Sequence, residues 1–451
     1  MTTPFILSRK FNPVVFIAAV LILLLSSCKD VSTEVNDLRC EYRTNPLGID
    51  NTLPRLSWKI IDENNTRGQK QTAFQVLVAS SQKLLDKNKG DLWDSGKKSS
   101  NQSVNVLYEG SALTSQQKCF WKVRIWDASG KVSDWSDLAK FTIGLLNPED
   151  WSGEWILKED QQKTEHIWYR KNFRLEETPA SALVYVASFG YHELYVNGEK
   201  VGNEVMNPVS SFMKKRIPYL TYDINDLLKE GDNVIAVWHA AGWTRWSRVT
   251  EYMNPPFVFK AQAEIESGSD NLTLITDTTW KCKKSLSSYH GNWDILDFGG
   301  EIIDDRLRED DWNKAEFDDT DWAQAGIYNP EVLNAMIRGN NISITQNSQV
   351  KSYLRRDYGR ITATLSAQMV EPQVKYREIT PVGVKKNSDN SYRIDMGENY
   401  TGYFGMNLYN GSEGDTVIFE IADQEGETST WKQSHRNTSW FQSFTAQRRN
   451  T

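Results

Sequence analysis

Two tryptophans and an arginine crowd the octapeptide His239-Ala-Ala-Gly-Trp243-Thr-Arg245-Trp246. Indole rings offer flat apolar faces and a guanidinium offers directed donors, so this loop suits a small polar ligand that has one apolar side. A packing reading stands beside it, in which Trp243 closes the end of a core and Trp246 packs against a neighbouring domain. The string Phe317-Asp-Asp-Thr-Asp-Trp322 carries three carboxylates, Asp318, Asp319 and Asp321, that a cation such as calcium would accept. The preferred reading has Phe317 and Trp322 packed inward while the aspartates cap a turn through backbone N–H groups. Glu398, beside Asn399 and Tyr400, is one more carboxylate in a strand-like setting. With 59 acidic residues, carboxylate pairs occur at almost any spacing, and no catalytic residue is assigned. The five histidines lack metal-ligand spacing, and no CxxC, HExxH or EF-hand pattern occurs.

The elements that must position these groups are strands. Seventeen tryptophans, eighteen tyrosines, frequent Asn, Asp and Gly punctuation and no long heptads indicate an all-β chain of tandem β-sandwiches. A length of 451 residues predicts two to four domains, at roughly 100–200 residues each. A net charge of −7 without a concentrated basic face argues against a nucleic-acid partner. Residues 38–146 form a first sandwich, in which QTAFQVLVAS from Gln71 and CFWKVRIWD from Cys119 alternate as half-buried strands do. Trp58 is its core tryptophan, and Ser133-Asp-Trp-Ser-Asp137 is a packing ladder at a strand edge. A polar linker, Leu145–Asp150, leads to a second unit, 151–330, whose runs WYRKNFRL, SALVYVAS, HELYVNG and GDNVIAVWHA give a jelly-roll pattern. Asn197-Gly198 marks a type I′ hairpin turn, which needs positive φ at both positions. Lys214-Lys215-Arg216 reads as a solvated strand edge. An Asn-rich connector follows Pro330. A third β unit then spans 345–425, and an irregular tail, 426–451, lacks the alternation that would complete its sheet. That tail reads as a truncation or frameshift. Cys40, Cys119 and Cys282 allow at most one disulfide, and Cys119 is a small buried residue.

The first residues address the chain to a compartment. Arg9 and Lys10 precede an apolar run from Val14 to Leu25, too short for a comfortable membrane span, so residues 1–27 read as a signal peptide. Leu25-Ser26-Ser27-Cys28 resembles a bacterial lipobox, which makes Cys28 the lipidation site. Several acyl chains on one cysteine, at roughly 0.8 kcal/mol per buried CH2, hold a protein at a membrane. The expected location is the bacterial cell envelope, at the outer membrane or cell surface.

Several ordered motifs resemble bacterial α-L-rhamnosidases: NPLGID from Asn45, PRLSWKI from Pro54, ASFGYHELYVNGEKVG from Ala187, FGGEIIDDRL from Phe298, FDDTDW from Phe317 and Asp395-Met-Gly-Glu-Asn399. The resemblance covers about Leu38 to Ala422. It implies a fibronectin type III-like sandwich, then the family's N-terminal jelly roll, then an incomplete concanavalin-like sandwich. Family members hydrolyse terminal α-L-rhamnosyl bonds with inversion, holding two carboxyl groups roughly 6.5–9.5 Å apart around a water. They keep those groups in a helical barrel to which no position here corresponds. Some members hold L-rhamnose on the jelly roll with a calcium ion. By that resemblance Trp243, Arg245, Trp246 and Asn207 are candidate sugar contacts, although Ser210 stands where many relatives have tryptophan. Three functions follow: the non-catalytic N-terminal part of an α-L-rhamnosidase acting on rhamnose-containing glycans, a surface glycan-binding lipoprotein, or a glycosidase with carboxylates between its sandwiches.

Overall fold

The computed structural model describes residues 33–62, 67–162, 164–245, 257–268, 270–290, 300–339 and 359–398, with positions 400, 405, 412 and 415–418. Cys28, the signal segment and the tail 426–451 lie outside them. The chain divides into two compact units. The first takes Met1–Asn45, Leu53–Ala112 and Lys118–Lys140, and the second Pro46–Thr52, Leu113–Gln117 and everything from Phe141.

In the first unit, β1 (Glu34–Cys40), β2 (Arg55–Ile61) and β6 (Val106–Leu107) form one sheet. The second sheet runs β4 (Trp93–Asp94), β3 (Ala73–Ala79), β7 (Lys118–Trp126), β8 (Ala139–Thr142), with β5 (Lys98–Ser99) on β3. Strand β7 alternates without a break, burying Cys119, Trp121, Val123 and Ile125 while the residues between them stay half-buried. Trp58 of β2 meets Phe74 of β3 edge-on at 5.3 Å, joining the two sheets, and its Nε1 donates to the Gln71 side chain. The Ser133–Asp137 ladder has a specific chemistry. Ser133 and Ser136 donate their backbone N–H to Ile125 and Val123, and their hydroxyls accept from those same residues. In that register the Arg124 guanidinium lies over the Trp135 ring at 4.6 Å and over the Trp126 ring at 5.4 Å. Cys40, Cys119 and Cys282 are buried free thiols.

The second unit is a sandwich of two seven-stranded sheets. One runs β13 (Glu199–Lys200), β12 (Tyr191–Val196), β15 (Gly231–Ala240), β10 (Glu165–Leu175), β18 (Lys281–His290), β19 (Gly300–Ile303), with β20 (Ala323–Gln324) on β18. The other runs β21 (Gly326–Ile327), β9 (Ile156–Leu157), β16 (Phe259–Ser267), β11 (Ser181–Ser188), β14 (Arg216–Asp223), β22 (Thr364–Ala367), with β17 (Asp270–Ile275) on β16. Ile167, Tyr169, Leu194, Ile235 and Val237 from the first sheet meet Val184, Val186, Leu220, Phe259 and Ala261 from the second. Asn197 and Gly198 have φ of 50° and 92°, the I′ geometry that their sequence predicts for the β12–β13 turn.

The outer faces are covered too. Trp168 of β10 stacks on Trp312 at 5.0 Å and on Trp322 at 6.3 Å, rings carried by the 304–322 segment. Arg170 pins that segment: it pairs with Asp319 at 2.6 Å and donates to the Phe317 and Lys314 carbonyls.

Past Pro330 the structure departs from the connector that composition suggests. A helix α2 spans Pro330–Gly339 because Asn329 Oδ1 accepts from the Glu331 and Val332 amides while proline occupies the first helical position. A five-residue helix α1 (Gln82–Asp86) belongs to the first unit. Strand β22 also comes from beyond Pro330, joining β14 in parallel. Arg216 holds it through Asp50, at 3.6 Å, and Ser366, so the basic run at 214–216 is exposed as expected but leads into a strand that β22 pairs rather than a sheet edge. Of the third sandwich expected at 345–425, the described residues form one hairpin, β23 (Gly383–Lys386) and β24 (Tyr392–Asp395), with exposed side chains.

The Arg170 clamp yields a graded prediction. Asp319→Ala strands a guanidinium with no solvent exposure and should destabilise by about 3 kcal/mol in denaturant melts. Asp318→Ala, at an exposed carboxylate that accepts from the Thr320 amide, should leave the midpoint near wild type. Equal midpoints for the two variants would remove the clamp's special role.

Candidate functional site

The candidate ligand loop grows from the end of β15. After Ala240 the chain turns through a 3-10 helix, Gly242–Arg245, which carries the backbone of Trp243 and Arg245. Trp246 lies outside the described residues. Two features force this turn. Thr244 is fully buried and its hydroxyl donates back to the Ala241 carbonyl at 2.5 Å. Gly242 sits at φ +46°, and a Cβ there would come within 2.5 Å of the Tyr191 ring. The loop therefore rests directly on the first residue of β12.

Asn207 is 2 % exposed, beneath the loops. Its carbonyl accepts from the His192 amide at 2.9 Å, while its side-chain Oδ1 is buried without a hydrogen-bond partner among the described residues. Asn207 thus supports this end of the unit, and it is not a free surface group for a ligand to meet. Its neighbours extend the same network. His192 Nδ1 bonds Ser188 Oγ at 2.8 Å, His192 Nε2 bonds Tyr222 at 3.0 Å, and His239 Nε2 donates to the Phe189 carbonyl at 2.9 Å. Burial depresses both imidazoles, His192 to about 3 with help from His239 and Lys200, and His239 to about 4. Burial likewise drives the Tyr222 hydroxyl upward. At neutral pH the network carries no charge.

Ser188, His192, Tyr222 and His239 escape a search for motifs, because scattered histidines have no ligand spacing. The strand period does contain the signal. His192 shares its face with Leu194 and Val196, and His239 shares its face with Val237 and Ile235, so alternation places both rings inward. A second polar cluster joins His166, Ser287 and Glu301 of the GGE motif, with His166 Nδ1 2.6 Å from Ser287 Oγ and 3.5 Å from Glu301.

The acidic string is spent on the fold. Asp318 accepts from the Thr320 amide, Asp319 holds Arg170, and Asp321 pairs with Lys283 at 2.8 Å. Phe317 and Trp322 pack with Trp168, as the preferred sequence reading has it. Among the described residues no cluster of three His, Cys, Asp or Glu is arranged to hold a metal ion. Glu398 is exposed just past β24.

Two family models match the chain in succession. Residues 35–147 match the Rha78A-like N-terminal immunoglobulin domain, and residues 177–372 match the α-L-rhamnosidase N-terminal domain. An α-L-rhamnosidase of Formosa agariphila is 27% identical over 454 residues, covering 92% of this chain and 43% of that protein. A second from the same organism is 37% identical over 298 residues, 62% of this chain and 31% of that protein. Among solved structures, the α-L-rhamnosidase of Dictyoglumus thermophilum superposes with a TM-score of 0.67 at 29% identity, covering 82% of this chain and 39% of that one. The Aspergillus terreus enzyme shares the fold, with a TM-score of 0.64 at 22% identity. The chain spans less than half the length of these relatives.

The loop geometry can be tested directly. Gly242→Ala drives a methyl into the Tyr191 ring at a positive φ and should destabilise by more than about 1 kcal/mol. The same change at Gly68, where φ is also positive but no atom lies within 4 Å, should cost less. Equal losses in thermal melts would show that strain alone, without the Tyr191 contact, sets the turn.

Proposed function

Since this chain is the N-terminal region of an α-L-rhamnosidase-family protein, we propose that it serves such an enzyme as its non-hydrolysing, glycan-facing part. The observation that carries this reading is the succession of the two domain matches along the chain, beside a Formosa agariphila α-L-rhamnosidase that aligns with 92% of this chain over 43% of its own length. The partner is a rhamnose-containing polysaccharide or glycoside. Purified chain should release no rhamnose from an aryl α-L-rhamnoside above the enzyme-free background. Sustained turnover that one carboxylate substitution in this chain abolishes would overturn the proposal.

Within that role the second unit holds the sugar through the loop at Trp243, Arg245 and Trp246. The fixed base of this loop supports the reading, because a backbone turn held by Thr244 and Tyr191 leaves little main chain to order on binding. Titration calorimetry of the full chain with L-rhamnose, with and without a chelator, should detect binding, and Trp246→Ala should weaken it with little change in melting temperature. A packing role would instead cost roughly 3–5 kcal/mol on truncation and lower the melting temperature by several degrees. Wild-type chain that binds no rhamnose under either condition, together with a destabilised Trp246→Ala, would leave this unit a scaffold.

We also propose anchoring at Cys28, on the lipobox residues Leu25-Ser26-Ser27 before it. Cys28→Ala should leave the membrane fraction or block processing. A mature, signal-cleaved variant that stays with membranes through a salt wash would rule the anchor out.

A further inference from the structure

Two histidines face each other at the loop-bearing end of the second unit. His192 of β12 stands in register with His239 of β15, and they are 4 % and 1 % exposed. Their hydrogen bonds define the tautomers. Ser188 Oγ donates to the Gly190 carbonyl, so it accepts from His192 Nδ1–H, which leaves Nε2 to accept from the Tyr222 hydroxyl. His239 presents Nε2–H to the Phe189 carbonyl. Every direct partner is neutral, and none is a carboxylate able to receive an imidazolium.

The surrounding groups add no rescue. Tyr169 of β10 packs T-shaped and Phe259 of β16 packs tilted against His239, and His166 of β10 opposes its charge. Lys200 of β13 opposes a charge on His192, and its Glu193 partner is held by Lys200 and Tyr195. Glu204 acts on Tyr222 from the 201–209 segment. The same short stretch joins elements: the His192 backbone amide grips the Asn207 carbonyl, the His239 ring grips the Phe189 carbonyl, and Gly242 rests on Tyr191 beside His192.

We propose that His192 and His239 form an acid-sensitive latch: neutral, they pin the 189–192 turn, Asn207 and the 242–245 turn together, and protonated, they release this end while the sheets stay paired. A proton on His192 Nε2 removes the acceptor that Tyr222 now uses and leaves a buried cation with no anionic partner among its hydrogen bonds, and a second proton places like charges across one ladder. Both groups titrate lower in the folded state than the ordinary histidine value, so the unlatched state binds more protons. The latch is therefore intact above about pH 6.5 and weakens as pH falls from there toward 4.

Hydrogen exchange of the full chain, corrected for intrinsic rates, tests this between pH 7 and 4.5. Below pH 6.5 the opening constant of peptides spanning 189–194 and 240–245 should rise up to about tenfold per pH unit for each histidine engaged, while β11–β16 peptides stay protected. His192→Gln and His239→Gln should each remove one proton from that slope, and the double variant should flatten it. A flat wild-type response, an undiminished slope in the double variant, or simultaneous loss of protection in β11 and β16 would overturn the proposal. Should the variants not fold, imidazole NMR shifts of the wild type decide: either ring titrating near pH 6.5 in the folded protein overturns it.

Discussion

A guanidinium without solvent exposure is the constraint on which the second unit turns. Arg170 projects from the outer face of a strand whose inner face already fills the core, so its charge must be met by whatever covers that face. Asp319 and the carbonyls at 314 and 317 meet it, and in doing so they seat Trp312 and Trp322 against Trp168. Removing a buried charge from water is costly unless it is paired and fully bonded, which is why one arginine can dictate the path of a long connecting segment. The three aspartates beside it then have little left for a cation.

The same need for cover explains the other sheet. Tyr185, Ile217 and Tyr219 point away from the core, and they pack under Trp151, Met213, Ala367 and the half-buried Leu333 and Ile361. Residues beyond Pro330 are thus recruited to the sandwich by apolar surface, with β22 locked in register by Arg216. The 304–322 segment and the stretches 328–339 and 359–369 do not announce this by their own sequence pattern. Their role is set by the two faces they close.

At the loop-bearing end the economy is different, since polar groups replace apolar filling. Ser188, His192 and Tyr222 satisfy one another in a directed chain, the His192 amide holds the Asn207 carbonyl, and His239 ties the neighbouring turn. Such a network orders a loop base without charge, and it places the 242–245 turn where ligand chemistry is proposed. It also makes this end responsive to protons in a way that an aliphatic core would not be.

Local chemistry alone determined a good deal. The alternation of CFWKVRIWD dictated β7, Asn197-Gly198 dictated its hairpin turn, and the crowding of aromatic residues dictated sandwiches, because period, φ preference and side-chain bulk act over a few residues. The ordered motifs likewise sufficed for the family. Tertiary structure decided where Asn207 lies, what Asp319 holds, that Asn329 starts a helix and that β22, from Thr364, joins a sheet whose first strand begins at Ile156. Those outcomes depend on groups far apart in the chain meeting in a low-dielectric interior, where an unpaired amide, carboxylate or guanidinium is expensive. The identity of the partner that satisfies each of them is a property of the packed molecule.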